Sequence, residues 1–189
     1  MENYSLLPGG FFYKVARNQS EINIFNFLLS TSYADIFIHS NCRLFEHGNY
    51  QNFLETVHLK YPLGPQEHPI LIYDSNKSPV AGLKLVLPSE YELPIEKDFR
   101  ISLLKMNYDR KNVGEIGRFC VLSHWRGTGP LLRAVYHSVA RECIRNKVGS
   151  LLAEAILNIF AMYRKIGFEP LDGKETPRID HEFGTEVIL

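Results

Sequence analysis

The chain carries no excess of charge of either sign: Lys and Arg together number 21, and so do Asp and Glu. A neutral chain has no long-range field with which to hold a polyanion, so nucleic acid is not an expected partner. Cysteine is scarce. Cys42, Cys120 and Cys143 are an odd number, and their spacing suits neither a zinc site nor a disulfide framework. That usage fits a reducing compartment, and the expected location is cytoplasmic. The seven histidines are scattered, with no pair at helical metal-ligand spacing, so no metal is expected. No apolar stretch approaches the roughly 20 residues that span a bilayer. Residues 1–15 lack the basic segment and apolar run of a signal peptide. No internal repeat, low-complexity tract or linker interrupts the chain, so a single domain over 1–189 is expected.

What is present is apolar and aromatic. Hydrophobic residues make up 45% of the chain and aromatics 12%, enough for a sizeable core, a ring-lined pocket, or both. Residues 11–16 read as a first strand. A helix follows, capped by Ser20, with Ile22, Ile24, Phe25, Leu28 and Leu29 as its buried face. Tyr50, Phe53, Leu54 and Val57 form one stripe of a second helix over 50–59. Residues 70–73 and 80–87 flank the turn cluster Asp74-Ser75-Asn76-Lys77 and read as a hairpin. A helix starts near Pro94. Residues 115–122 read as a central strand and 128–146 as a helix, with Leu132, Val135, Tyr136, Val139 and Cys143 on one face. A short strand over 150–155 leads to a helix over 158–165 that stops at Gly167. Further strands are expected from Phe168 and over 186–189. This order predicts a mixed α+β protein, a sheet with helices covering its faces.

One segment concentrates the chemistry. In EIGRFCVLSHWRGTGPL, residues 115–131, a strand runs into a loop with two glycines and a helix begins at once. Pro130 suits the first helical turn, where a missing N–H costs nothing. Gly127 and Gly129 let the backbone turn tightly and approach a ligand. The unpaired N–H groups and positive dipole end of a helix start suit a phosphate or pyrophosphate, and Arg126 adds a cation beside it. A plain strand-to-helix turn has the same pattern. The segment is neither a Walker loop nor a dinucleotide fingerprint.

VLSHWRGTGPLLRAVYHSVA resembles the central motif of GNAT acyltransferases, an Arg/Gln-x-x-Gly-x-Gly/Ala loop. Arg126 and Gly129 match it, and Leu131 stands where Gly or Ala is usual. One helix and one strand downstream, Tyr163-Arg164-Lys165-Ile166-Gly167-Phe168 resembles the family's Tyr-x-x-x-Gly-Phe. Glu115-Ile116-Gly117-Arg118-Phe119 resembles the Glu-x-x-Arg-Phe strand of acyl-homoserine-lactone synthases and N-acyl amino acid synthases. Residues 80–88 resemble their Gly-x-x-Arg-Leu-x-x-Pro strand, with Lys84 in place of Arg. The resemblance implies a GNAT fold, a central, mostly antiparallel sheet with helices on both faces. It implies an N-acyltransferase that moves an acyl group from acyl-CoA or acyl carrier protein to the amine of a small molecule such as an amino acid. An acetyl-CoA-dependent acetyltransferase and a non-catalytic thioester-binding module are the alternatives.

Direct transfer needs an amine that loses a proton, donors for a tetrahedral oxyanion and a proton for the departing thiolate. The resemblance assigns Glu115 as general base or amine ligand and Tyr163 as the acid for the thiolate. It assigns the Val121 N–H to the thioester carbonyl, and Arg126, Gly127, Thr128 and Gly129 to the pantetheine phosphates. Arg118 and Lys84 are placed as acceptor-binding groups. Each has a plain structural alternative: an exposed carboxylate for Glu115, an ion pair for Arg118, a core ring for Tyr163. Cys120 inside an apolar strand is either a nucleophile or a small hydrophobe, the latter more common. His124 is either a base or a solvated loop residue, and Trp125 either stacks on a ligand or packs on the sheet.

Overall fold

Ile70 and Ile72 alternate with Leu71 and Tyr73 along one strand, and that alternation decides where the helices lie. The structure, a computed structural model, describes residues 4–39, 54–55, 57–171, 173, 177–180 and 185–189. Strands β1 (Ser5–Leu6), β2 (Phe12–Val15), β3 (Glu67–Tyr73), β4 (Pro79–Val86), β5 (Val113–Val121) and β6 (Ser150–Ala153) form one sheet in that order. Every neighbouring pair is antiparallel except β5 and β6. A second sheet, β7 (Ala155–Ile156), β9 (Thr185–Ile188) and β8 (Arg178–Asp180), is antiparallel throughout.

Helix α1 (Gln19–His39) covers one face, where Ile22, Phe25, Leu28 and Leu29 meet Leu71, Tyr73 and Cys120. Helix α3 (Gly129–Arg145) covers the other, where Leu131, Ala134, Val135 and Val139 meet Ile70, Ile72, Leu83 and Leu85. Each large apolar side chain so buried contributes roughly 1.5–3 kcal/mol. The short α2 (Pro94–Asp98) closes the end of the sheet with Leu93, Ile95 and Leu103 against Val86, Val113 and Leu152. Helix α4 (Leu157–Lys165) packs near the junction of the two sheets.

The hairpin forms as its turn chemistry requires. The Asp74 Oδ1 accepts from the N–H groups of Asn76 and Ser78 at 2.9 and 2.8 Å, and Lys77 takes the left-handed conformation at φ 60°. Three expectations are corrected. Asn18, not Ser20, caps α1, because its Oδ1 accepts from the Glu21 N–H at 3.0 Å. The buried stripe of α3 starts at Leu131 and includes Ala134 and Ser138, while Leu132 is only half-buried. No strand begins at Phe168; its N–H closes the end of α4, the Leu171 N–H donates to the Leu189 carbonyl at 2.9 Å, and β8 forms only at Arg178. Leu54, Glu55 and Val57 are helical, but most of the expected 50–59 helix, and Cys42, lie outside the described residues.

Candidate active site

β5 opens the sheet. It pairs with β6 only from Val113 to Ile116, then continues five residues to Val121 after β6 has ended. Its pairing with β4 slips by one between Lys84↔Gly117 and Gly82↔Cys120. The extra residue is a β-bulge, with Arg118 left-handed at φ 54°, a conformation that costs a non-glycine residue about 1 kcal/mol. The bulge switches the face each side chain points to. Ile116 before it and Phe119 after it both face α3, whereas Glu115 and Gly117 face the other way. Between the diverging strands and helices α3 and α4 lies an apolar cleft of about 890 Å³, walled by residues that include Ile116, Phe119, Val139, Leu151, Met162 and Tyr163.

The Tyr163 ring is held by the way α4 ends. The Phe168 N–H donates to the Tyr163 carbonyl and the Gly167 N–H to the Arg164 carbonyl, both at 3.1 Å, with Gly167 left-handed at φ 97°. This is a Schellman stop, whose apolar contact joins the residues on either side of it. Here that contact is the edge-to-face pair of Tyr163 and Phe168, 5.3 Å between centroids. The Tyr-x-x-x-Gly-Phe spacing is therefore a helix stop that fixes a tyrosine. Burial pushes the Tyr163 hydroxyl up to about 12, with Tyr136 and Glu154 adding to the rise, so it stays protonated at neutral pH.

Glu115 lies on the opposite face and is 8% exposed, so the structural alternative of an exposed carboxylate does not hold. Its Oε2 accepts from the Ile95 N–H in the first turn of α2 at 2.9 Å. Burial raises it to about 7, against the lowering pull of that N–H and of the Lys84 and Arg118 charges. Lys84 on β4 pairs with Glu67 Oε1 at 3.3 Å. Glu115, Lys84 and Arg118 thus share one electrostatic neighbourhood across the sheet from Tyr163.

The glycine loop is open at its centre. A Cβ on Gly127 or Gly129 would meet nothing within 4 Å, and Gly127 is left-handed at φ 75°. Thr128 turns its hydroxyl back to the Trp125 carbonyl at 2.7 Å, so no side chain caps the start of α3. Arg126 points away from that start. Its Nε donates to the Val121 carbonyl at 3.1 Å and its Nη2 to the Ser32 carbonyl at 2.9 Å. The Val121 N–H donates to Ser32 Oγ at 3.2 Å. Trp125 packs edge-on against Phe11 at 5.5 Å, and Cys120 is a buried hydrophobe whose thiol is pushed up to about 12 by burial.

The comparisons with known proteins bear on the family and the fold. A family model described as "N-acyl amino acid synthase FeeM" matches residues 44–189. The chain belongs to the FeeM family of N-acyl amino acid synthases. No curated protein matches it. The structure of FeeM from uncultured soil microbes superposes with a TM-score of 0.69 at 13% identity, covering 94% of this chain and 87% of that one. A putative N-acetyltransferase from Lactobacillus plantarum gives 0.60 at 13% identity, with 94% of each chain covered. An acyl-CoA N-acyltransferase from Pseudomonas aeruginosa gives 0.57 at 14%, covering 94% of this chain and 97% of that one. The chain has the GNAT fold and is an N-acyltransferase.

For a FeeM-family chain, Leu131 has a structural explanation. It is 2% exposed and packs with the first core cluster, so the larger side chain fills the core beneath the loop. Of the site residues expected from sequence, Tyr163 lines the cleft; Glu115, Arg118, Lys84, Val121, Arg126, Gly127, Thr128 and Gly129 do not. Two cleft residues were missed. Tyr136 lines the cleft with its buried hydroxyl unpartnered. Phe119 was missed because the bulge that turns it into the cleft has no side-chain signature. Among the described residues, no group of three or more His, Cys, Asp or Glu side chains is placed to hold a metal, and no helix is long and apolar enough to cross a membrane.

Proposed function

We propose that this N-acyltransferase moves an acyl group from acyl-CoA or acyl carrier protein directly to the amine of a small molecule such as an amino acid. On this reading the 189-residue chain acts as one cytoplasmic domain. The observation that carries the proposal is the Tyr163 hydroxyl, buried and protonated in an apolar cleft where the sheet comes apart at β5. In the transfer, the amine nitrogen bonds to the thioester carbon, the C–S bond breaks, and a proton passes to the departing sulfur. Tyr163 supplies that proton.

The donor's phosphates meet the N–H groups of Gly127 and Gly129 at the start of α3, with the Thr128 N–H already turned to the Trp125 carbonyl at 3.4 Å. Strand parity supports Phe119 over Val121 as the polarising N–H. The Leu122 N–H donates to Val80 on the β4 side, so the N–H groups of Phe119 and Val121 turn to the opposite edge. There the Val121 group already bonds Ser32, and that of Phe119 faces the opening. The acceptor approaches from the face of Glu115. A carboxyl poised near 7 is suited to take the proton of an amine at neutral pH. Arg118 receives the acceptor's carboxylate, and Lys84, anchored by Glu67, adds positive field.

The test is thermal stability with coenzyme A, acetyl-CoA, lauroyl-CoA and lauroyl carrier protein, each alone. A ligand at about one hundred times its Kd stabilises by about 2.7 kcal/mol, a readable rise in Tm. The reading expects a rise with the lauroyl donors. A rise with acetyl-CoA alone would replace the long-chain donor by acetyl-CoA, and no rise with any of them would remove the thioester site.

A further inference from the structure

We propose that Arg126 is a positioning residue, not a phosphate ligand: with Ser32 it latches α1 to the open end of β5. The inference rests on the acyltransferase reading above and reassigns one residue of its loop. Val121 is the last residue of β5, and both its backbone groups face the edge that β6 has left. In a sheet these groups would pair with the next strand. Here α1 and the loop supply the partners. Ser32 Oγ accepts from the Val121 N–H at 3.2 Å, and Arg126 Nε donates to the Val121 carbonyl at 3.1 Å. The same guanidinium donates through Nη2 to the Ser32 carbonyl at 2.9 Å and to Ser32 Oγ at 3.3 Å, and lies 3.6 Å from the Asp35 carboxylate. The Nε–H and both Nη2–H groups of one rigid fork, three of its five donors, are thereby directed at a strand end and a helix, and Ser32 at the centre is 1% exposed.

Two consequences follow for the reaction. The latch seals the edge of β5 at Val121, so the N–H left facing the opening is that of Phe119, and the thioester carbonyl has one register. The latch also fixes α1, which covers the face where Glu115 lies, to the loop that receives the donor. Arg126 therefore acts on acceptor and donor together, whereas a phosphate ligand acts on the donor's phosphates alone.

Donors with and without the pyrophosphate separate these roles. R126M and R126K are assayed with lauroyl-CoA and with lauroyl-pantetheine, taking an equimolar mixture of the twenty amino acids as acceptor. Amide hydrogen exchange at Val121 is measured in the same proteins without substrate. The latch predicts that kcat/KM falls about tenfold with both donors by the same factor, that the acceptor KM rises, and that S32A added to R126M costs little more, because the two residues form one unit. It also predicts faster exchange at Val121 in R126M, R126K and S32A. A fall confined to lauroyl-CoA makes Arg126 a phosphate ligand and overturns the latch, as does unchanged exchange at Val121. A wild-type protein inactive with both donors overturns the acyltransfer reading instead, and the exchange data judge the latch separately.

Discussion

At the scale of single residues, burial raises both proposed catalytic groups, so that Tyr163 keeps its proton and Glu115 titrates near neutrality. Tyr163 is held protonated, pushed up to about 12. Y163F should lower kcat by about a hundredfold, within the usual 10²–10⁴ range for a lost general acid, with little change in acceptor KM. Steady-state kinetics on the two proteins check this, and an unaltered kcat leaves Tyr163 as a core ring. Glu115, raised to about 7, should give kcat/KM an ascending limb through pH 7 that is absent in E115Q. The same group affects stability. The folded state holds its proton up to about 7, the unfolded chain only to about 4.5, so the folded state is favoured below 4.5 and loses that advantage as pH rises to 7. At about 1.4 kcal/mol per pH unit the loss is on the order of 3 kcal/mol. E115Q, which still accepts from the Ile95 N–H, should therefore melt higher than wild type at pH 8 and about equally at pH 4. A melting series across pH reads both points.

At the scale of elements, the account depends on how strands and helices end. Helix α2 carries a buried carboxylate, Glu96, that accepts from the Leu93 and Leu103 N–H groups and from the Arg110 guanidinium. Burial alone would raise it, but those donors outweigh burial and hold it below the usual carboxylate range. Its contribution is present above the unfolded value and fades as pH falls through the lower folded one. E96Q should lower Tm at pH 7 by several degrees and by less at acid pH. Helix α3 offers a second test. L131A restores the small residue usual in the family's loop, yet it removes a 2%-exposed core side chain. It should destabilise by about 2–5 kcal/mol without raising kcat/KM for acyl-CoA. A gain in activity would contradict the reading of Leu131 as core.

The same scale shows what was legible in the sequence. The Asp74 turn, the uncapped start of α3 and the Gly167 stop use residues whose backbone preferences are local, and each was readable. The glycine loop and the helix stop at Tyr163 came through as structural elements because each joins a helix end to a fixed spacing. The bulge at Arg118 was not readable, since a left-handed arginine has no local cause in the sequence and is imposed by the pairing with β4. For that reason the sequence points to Val121 for the polarising N–H, and the alternative at Phe119 emerges only with the bulge. The partners of Arg126 were equally hidden, because Ser32 and Asp35 lie more than ninety residues away along the chain.

At the scale of the whole molecule, the divided sheet keeps two chemistries apart. The cleft under α3 and α4 is apolar; the charged groups Glu115, Lys84 and Arg118 lie across the sheet. β5 presents groups to both sides, Phe119 on one and Glu115 on the other. An acyl group and an amine entering from opposite faces would meet at its edge. The most direct measurement is mass analysis of the product formed from lauroyl-CoA or lauroyl carrier protein with the amino acid mixture, alongside released thiol. The account predicts an N-lauroyl amino acid, one equivalent of thiol for each amide, and loss of both in Y163F. Thiol release without amide would mean that water is the acceptor, and would contradict the claim that this chain builds an amide by direct transfer.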